Sequence, residues 1–217
     1  MKYAILYNIS INTLNKGVKS MQTIDTEFKT FQKNSDQIAT SAIITYDQLP
    51  KYDLFLSQVT DFLNEHFKEE QFTHNIIQNY IKNEVISKPE EGKKRGYTKR
   101  HIIQLILLSY MRPILSTEEI KRVFRLAFNE INDHTDDIIS WEKAYGFFTE
   151  ALVISLDCSN FNSISDDKKI HALLKEEKLT TEECDKIAMF LNVMTIIAKT
   201  AASKKLIQSI INLEANP

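Results

Sequence analysis

The sequence predicts a mainly α protein: a helix-turn-helix with a small β-hairpin wing, followed by a C-terminal helical region that ends in one long helix. Three observations predict it. The 217 residues include only four glycines and four prolines, too few for a turn-rich β architecture. Beyond residue 46, apolar residues recur at helical intervals through most of the chain. One short segment, residues 85–97, breaks this pattern with Pro89, Gly92 and Gly96 and carries a run of cations.

Composition sets the class of partner. With 43% hydrophobic and 26% charged residues, the chain can bury a core, and disorder is not expected. The formal net charge of −2 hides an asymmetry: residues 72–125 carry 11 Lys/Arg against 5 Asp/Glu, or +6, and the rest carry 16 against 24, or −8. A local basic zone of this kind is an electrostatic footprint for a polyanion. Cys158 and Cys184 fit no metal-ligand spacing, and a reducing, cytoplasmic setting is expected. No apolar run is read as approaching the roughly 20 residues of a membrane span. Residues 1–9 (MKYAILYNI) lack the cleavage site of a signal peptide.

Taken in order, residues 1–45 form a poorly defined N-terminal extension in which Met21 is an alternative start. Residues 46–131 form the winged helix-turn-helix domain. Asp53 or a neighbour caps its first helix, where Leu54, Phe55, Val59, Phe62, Leu63 and Phe67 share a face. Thr73 caps the second helix, residues 74–82, with Ile76, Ile77, Tyr80 and Ile81 on one side and His74, Asn75, Gln78, Asn79 and Lys82 on the other. Asn83 is the expected left-handed residue that ends it. Two short extended arms then meet around residues 90–92, the second holding Lys93, Lys94 and Arg95. Thr98 caps an apolar, buried helix over residues 99–112, which Pro113 ends. Ser116-Thr117-Glu118-Glu119 is a capping box opening a helix packed through Ile120, Val123, Phe124, Ala127 and Phe128.

Residues 132–217 form the C-terminal dimerisation or effector region. Ser140 caps a helix over residues 141–156, a polar loop covers residues 157–167, and a short helix surrounds Ile170. Thr180-Thr181-Glu182-Glu183 is a second capping box. No Gly or Pro follows until Pro217, so one helix of about 30 residues, roughly 45 Å, is expected. Its first stripe is Ile187, Phe190, Leu191, Met194, Ile197, Ala198 and Ala201, and its second is Leu206, Ile207, Ile210 and Ile211. Such a helix bends back on the core or pairs with a second copy. Asp133, His134, Asp136 and Asp137 read as a solvated interhelical loop.

The order of parts resembles the mercury-resistance-regulator (MerR) superfamily. The resemblance lies in Ile76-Ile77-Gln78-Asn79-Tyr80, Val85-Ile86, Pro89, Arg95-Gly96-Tyr97-Thr98 and Ser116-Thr117-Glu118-Glu119-Ile120-Lys121. Residues 46–155 as a whole are similar to the family known as domain of unknown function 1836. They share its opening at Leu49-Pro50 and Asp53-Leu54, then Asn79-Tyr80-Ile81-Lys82-Asn83, Lys88-Pro89, Tyr97-Thr98-Lys99-Arg100-His101-Ile102 and Glu142-Lys143-Ala144-Tyr145. The MerR resemblance implies that the helix over residues 74–82 enters the major groove, that residues 93–95 follow the backbone as a wing, and that a long C-terminal helix dimerises. The sequence departs from that superfamily at Gln78 and Asn79, where an arginine followed by a tyrosine is usual.

The functional expectation is a dimeric, DNA-binding transcriptional regulator. Asn75, Gln78 and Asn79 read base edges, since amides bond adenine in a bidentate way. His74, Tyr80, Lys82, Lys93, Lys94, Arg95, Tyr97, Lys99 and Arg100 position the DNA backbone. The alternative is a non-catalytic protein–protein adaptor whose basic wing meets an acidic partner. There is no Gly-rich phosphate loop, G-x-S-x-G, H-E-x-x-H or paired-cysteine site, so no enzyme activity, cofactor or metal is expected. A small-molecule effector of unknown identity remains open.

Overall fold

A computed structural model describes residues 43–68, 71–89, 92, 96–157 and 167–214. The chain divides into two units, Met1–Ala39 and Thr40–Pro217. The first lies outside the described residues, and with it almost all of the expected N-terminal extension, Met21 included. The second is mainly helical. A 3-10 turn at Tyr46–Gln48 precedes α1 (Leu56–His66), α2 (His74–Lys82), α3 (Lys99–Met111), α4 (Thr117–Phe124), α5 (Trp141–Asp157), α6 (Asp167–Leu173) and α7 (Thr181–Glu214).

The centre is α3. From His101 to Met111 every residue is buried, as expected for a helix with so little polar surface. It packs against α1 on one side and against α5 and α7 on the others, so the regions on either side of residue 131 share one core. The aromatic part of that core lies where α4, α5 and α7 meet. Trp141 stacks on Phe128 with ring centroids 3.5 Å apart and planes 8° apart. Phe124 meets the indole edge-on, and Phe190 meets Phe128 the same way.

The first helix begins later than expected. Asp53 does not cap it, because Leu54 is held extended in an antiparallel bridge to Tyr97. Leu54 N–H donates to the Tyr97 carbonyl at 2.9 Å, and Tyr97 N–H returns the bond at 3.2 Å. The helix therefore starts at Leu56, and Gln58 Oε1 accepts from the Phe55 N–H at 3.0 Å. An amide clasp then sets the turn into α2. Asn64 Oδ1 accepts from Phe72 N–H at 2.7 Å, and Asn64 Nδ2 donates to the Phe72 carbonyl at 2.9 Å.

The bounds of α2 are as expected, and Thr73 Oγ1 accepts from Ile76 N–H at 3.3 Å. Its ending is shifted by one residue. Asn83 sits at φ −86°, and the left-handed residue is Glu84 at φ 54°. Val85 N–H bonds back to the Tyr80 carbonyl and Glu84 N–H to the Ile81 carbonyl, the paired bonds of a Schellman motif. Glutamate has no local advantage in that conformation, and a Cβ makes it costly. Glu84→Gly is expected to raise stability by about 0.5–1 kcal/mol, read as a rise in thermal midpoint; a fall would show that the carboxylate contributes more than its backbone strain costs.

No strand forms among the described residues, and the expected β-hairpin is not among them. Lys93, Lys94 and Arg95 lie outside the description. The arm that precedes them is committed elsewhere. Ser87 N–H donates to Gln104 Oε1 at 3.0 Å and Lys88 N–H to Asn132 Oδ1 at 2.9 Å, so these donors do not serve a neighbouring arm.

The later helices follow the expected bounds closely. α3 stops at Met111, with Arg112 as its cap. Ser116 and Glu119 form the capping box of α4, and the bonds from the Ser116 hydroxyl and N–H hold the Glu119 carboxyl below the usual carboxylate range. α4 ends at Phe124, and Ala127 and Phe128 are buried in the turns beyond it. Residues 158–166 of the polar loop, and Cys158 with them, lie outside the description. α7 opens on the Thr180–Glu183 capping box and runs 34 residues, roughly 51 Å. Its first expected stripe is buried against its own core. Of the second, Ile207 and Ile211 are 57% and 61% exposed. Contrary to the expectation that no run comes near a membrane span, Thr181–Lys204 is long and apolar enough by length and composition, although somewhat under half of it is buried against the rest of the unit.

Candidate nucleic-acid interface

The exposed side of α2 is built as the helical period dictates. Ile77 and Ile81 are buried, Ile76 and Tyr80 are half-buried, and His74, Asn75, Gln78, Asn79 and Lys82 are exposed. No carboxylate lies on this face within the helix. A helix of nine residues is roughly 13 Å long, so five polar side chains are presented in a short span. The Thr73 cap fixes one end and the Schellman motif the other.

Gln78 is less free than expected. Its Nε2 donates to the Tyr97 hydroxyl at 3.2 Å, which brings two of the sequence-predicted site residues together. Tyr97 is buried, and burial pushes its phenol up; the Gln78 bond pulls the other way by less. The ring also meets His101 edge-on. The Tyr97 ring thus supports α2 from behind, with its hydroxyl on Gln78, where the sequence reading expected it to reach outward.

Two of the expected backbone-positioning cations also have protein neighbours. Lys99 Nζ stands 4.4 Å above the Tyr46 ring and 3.4 Å from its hydroxyl. Arg100 is half-buried and faces Asp137, whose carboxyl it stabilises in the charged form. Both keep part of their surface in solvent.

The residues that organise this surface were not read from the sequence. The His101 imidazole ties both ends of the segment between α2 and α3. Nδ1 accepts from Thr98 N–H at 3.1 Å, and Nε2 lies 3.0 Å from the Lys88 carbonyl. One neutral tautomer, protonated at Nε2, satisfies both. Ser87 Oγ adds a bond to Gln104 Oε1 at 2.9 Å. The available signal was Thr98-x-x-His101, a capping box with imidazole where Glu or Gln is usual.

Behind Arg100, the loop expected to be solvated turns one carboxylate inward. The Asp137 side chain is 5% exposed and lies 3.6 Å from His134 Nδ1. Burial first, then the Asp136 carboxylate, pushes Asp137 up to about 6, against the pull of Arg100. A carboxyl raised in the folded state favours folding at low pH, and the advantage is lost as pH rises through about 4 to about 6. Asp137→Asn is therefore expected to stabilise the protein by about 1–2 kcal/mol at pH 7, with the difference fading toward pH 4. Denaturant midpoints at the two pH values check the sign. Among the described residues, no group of three or more His, Cys, Asp or Glu is placed to hold a metal ion.

Comparison with known proteins places the chain among relatives of undetermined activity. Residues 44–148 match the family described as Domain of unknown function (DUF1836). A protein of Bacillus subtilis (strain 168), named "Uncharacterized protein YkrK", is 27% identical over 137 residues, which is 58% of this chain and 55% of the relative. The match thus spans about half the length of that curated relative. No solved structure matches.

Proposed function

We propose that this chain is a cytoplasmic, non-catalytic DNA-binding regulator of the MerR-like winged helix-turn-helix type, with α2 as the helix that enters the major groove. The observation that carries the reading is the exposed face of α2: three amides, an imidazole and a lysine, with no carboxylate among them. The major groove is about 12 Å wide and presents adenine edges that amides bond in pairs. Asn75 and Asn79 are assigned the base contacts. Gln78 joins them through its carbonyl oxygen while its Nε2 holds Tyr97. His74, Lys82 and the 93–95 arm contact phosphates. The segment just before α1, bridged to Tyr97, gives the turn beyond α2 a fixed base.

A second reading has one observation in its favour. With Lys99 on Tyr46 and Arg100 facing Asp137, fewer cations face outward than a long polyanion would engage, which leaves a smaller acidic protein surface as the second partner class.

The test is selection of genomic fragments by the full chain, followed by affinity measurements across a salt series. Salt-dependent binding is expected, with its log–log slope reduced by about 3 when Lys93, Lys94 and Arg95 become alanine. Asn75→Ala with Asn79→Ala is expected to weaken the selected site by about 1–3 kcal/mol per lost base contact and to leave random duplex binding unchanged. Absence of salt-sensitive DNA binding would end the first reading, and capture of acidic protein ligands through the same lysines would favour the second.

A further inference from the structure

Between the exit of α2 and the turns that follow α4 lies a small cleft of about 60 Å³. Glu84 lines it from the α2 side, and Lys121, Arg125, Asn129, Glu130 and Asn132 line it from the other. Two of these side chains are anionic and two cationic, so the charge of the cleft sums to zero. Lys121 is already engaged, with Nζ 3.3 Å from Glu118 Oε1. Among the described residues, Glu84, Arg125 and Glu130 form no ion pair. Opposite charges therefore border one cleft without closing it.

The two amides are each held at one end. Asn132 Oδ1 accepts from Lys88 N–H at 2.9 Å, and Asn129 Nδ2 donates to the Asp136 carbonyl at 2.6 Å. These backbone partners decide which end of each amide is which. Asn132 keeps its Nδ2 donors, and Asn129 keeps its Oδ1 acceptor. Glu84 adds an independent observation. Its φ of 54° is a conformation that costs glycine or asparagine less. A strained residue retained at the edge of a cleft points to a task for its side chain.

We propose that this cleft binds a small zwitterion of the α-amino acid class. The ligand carboxylate meets the Arg125 guanidinium in a bidentate pair, with Asn132 Nδ2 as a further donor. The ligand ammonium lies between Glu84 and Glu130 and donates to Asn129 Oδ1. A simple anion would face both carboxylates, and a simple cation both Lys121 and Arg125, so a ligand carrying both charges fits best. Size narrows the class. A water needs roughly 10–15 Å³, so a cleft of about 60 Å³ takes about five heavy atoms, which is glycine.

The site goes beyond the reading of α2, and its test uses the full chain without DNA. Glycine at about 10 mM is expected to raise the thermal midpoint by about 3–5 °C, the shift for a Kd of about 1 mM. Acetate and methylammonium, each carrying one of glycine's two charges, are expected to leave the midpoint unchanged at the same concentration. Arg125→Ala and Glu84→Gly are each expected to lose the glycine response while keeping the far-ultraviolet spectrum. Glu84→Gly separates binding from stability, because it is expected to raise the midpoint without ligand and abolish the further rise with it. Three results overturn the proposal: no shift with glycine, an equal shift with acetate alone, or a glycine shift that either variant keeps.

Discussion

Trp141→Ala is expected to cost about 3–5 kcal/mol and to lower the thermal midpoint by about 6–20 °C. The indole fills the junction of three helices. It stacks flat on Phe128, receives the edge of Phe124 and, through Phe128, leans on Phe190 of α7. Removing it leaves a cavity that rings on three elements cannot close without leaving their own contacts. The indole N–H finds no acceptor among the described residues, which sets up a contrast. Trp141→Phe loses ring area but also removes a buried donor that costs about 1–3 kcal/mol, so it is expected to fall within about 1 kcal/mol of wild type. If both variants lose equally, the stack is not what stabilises the junction. Chemical denaturation of the two side by side gives the answer.

His101→Ala is expected to cost about 2–4 kcal/mol and to increase tryptic cleavage at Lys93, Lys94 and Arg95 severalfold under native conditions. The ring is 1% exposed and meets two backbone groups, Thr98 N–H and the Lys88 carbonyl, on either side of the segment that carries those cations. Alanine leaves both part-buried groups without this partner and opens the base of the segment. His101→Gln is the informative companion. Glutamine at this position caps Thr98 in the ordinary way but is too short to hold Lys88 as well. Partial recovery of stability with persistent cleavage would assign the loop tie to the far nitrogen of the ring. Unchanged cleavage in His101→Ala would show that the segment is held from elsewhere.

The helices were legible because their signals are local. Thr73, Ser116 and Thr180 each stand where a cap was read. The bounds of α2 and the burial of α3 follow from residues within one or two turns of each other. Tertiary pairing was not legible. Leu54 with Tyr97, Asn64 with Phe72 and Ser87 with Gln104 join residues 8 to 43 positions apart, and no periodicity announces them. That is why the start of α1 was misplaced and why an arm expected to pair in a hairpin has its donors bound to side chains. At the candidate interface, the exposure of His74, Asn75, Gln78, Asn79 and Lys82 followed from the 3.6-residue period. The protein partners of Gln78, Lys99 and Arg100 did not, because Tyr97, Tyr46 and Asp137 reach them only through the fold. The exposure of Met189 and Ile196 on α7 was hidden for another reason: apolar residues on both sides of a helix cancel the one-sided pattern by which such faces are recognised.

The burial of α3 by α7 also sets an order of events during synthesis. Leu105, at the middle of α3, rests in the same core as Ala198 of α7, 93 positions later in the chain. At about 5–20 residues per second, the ribosome leaves the most apolar helix of the protein without its final cover for roughly 5–20 s. Through that interval the nascent chain carries an apolar surface that only its own unmade helix is shaped to cover.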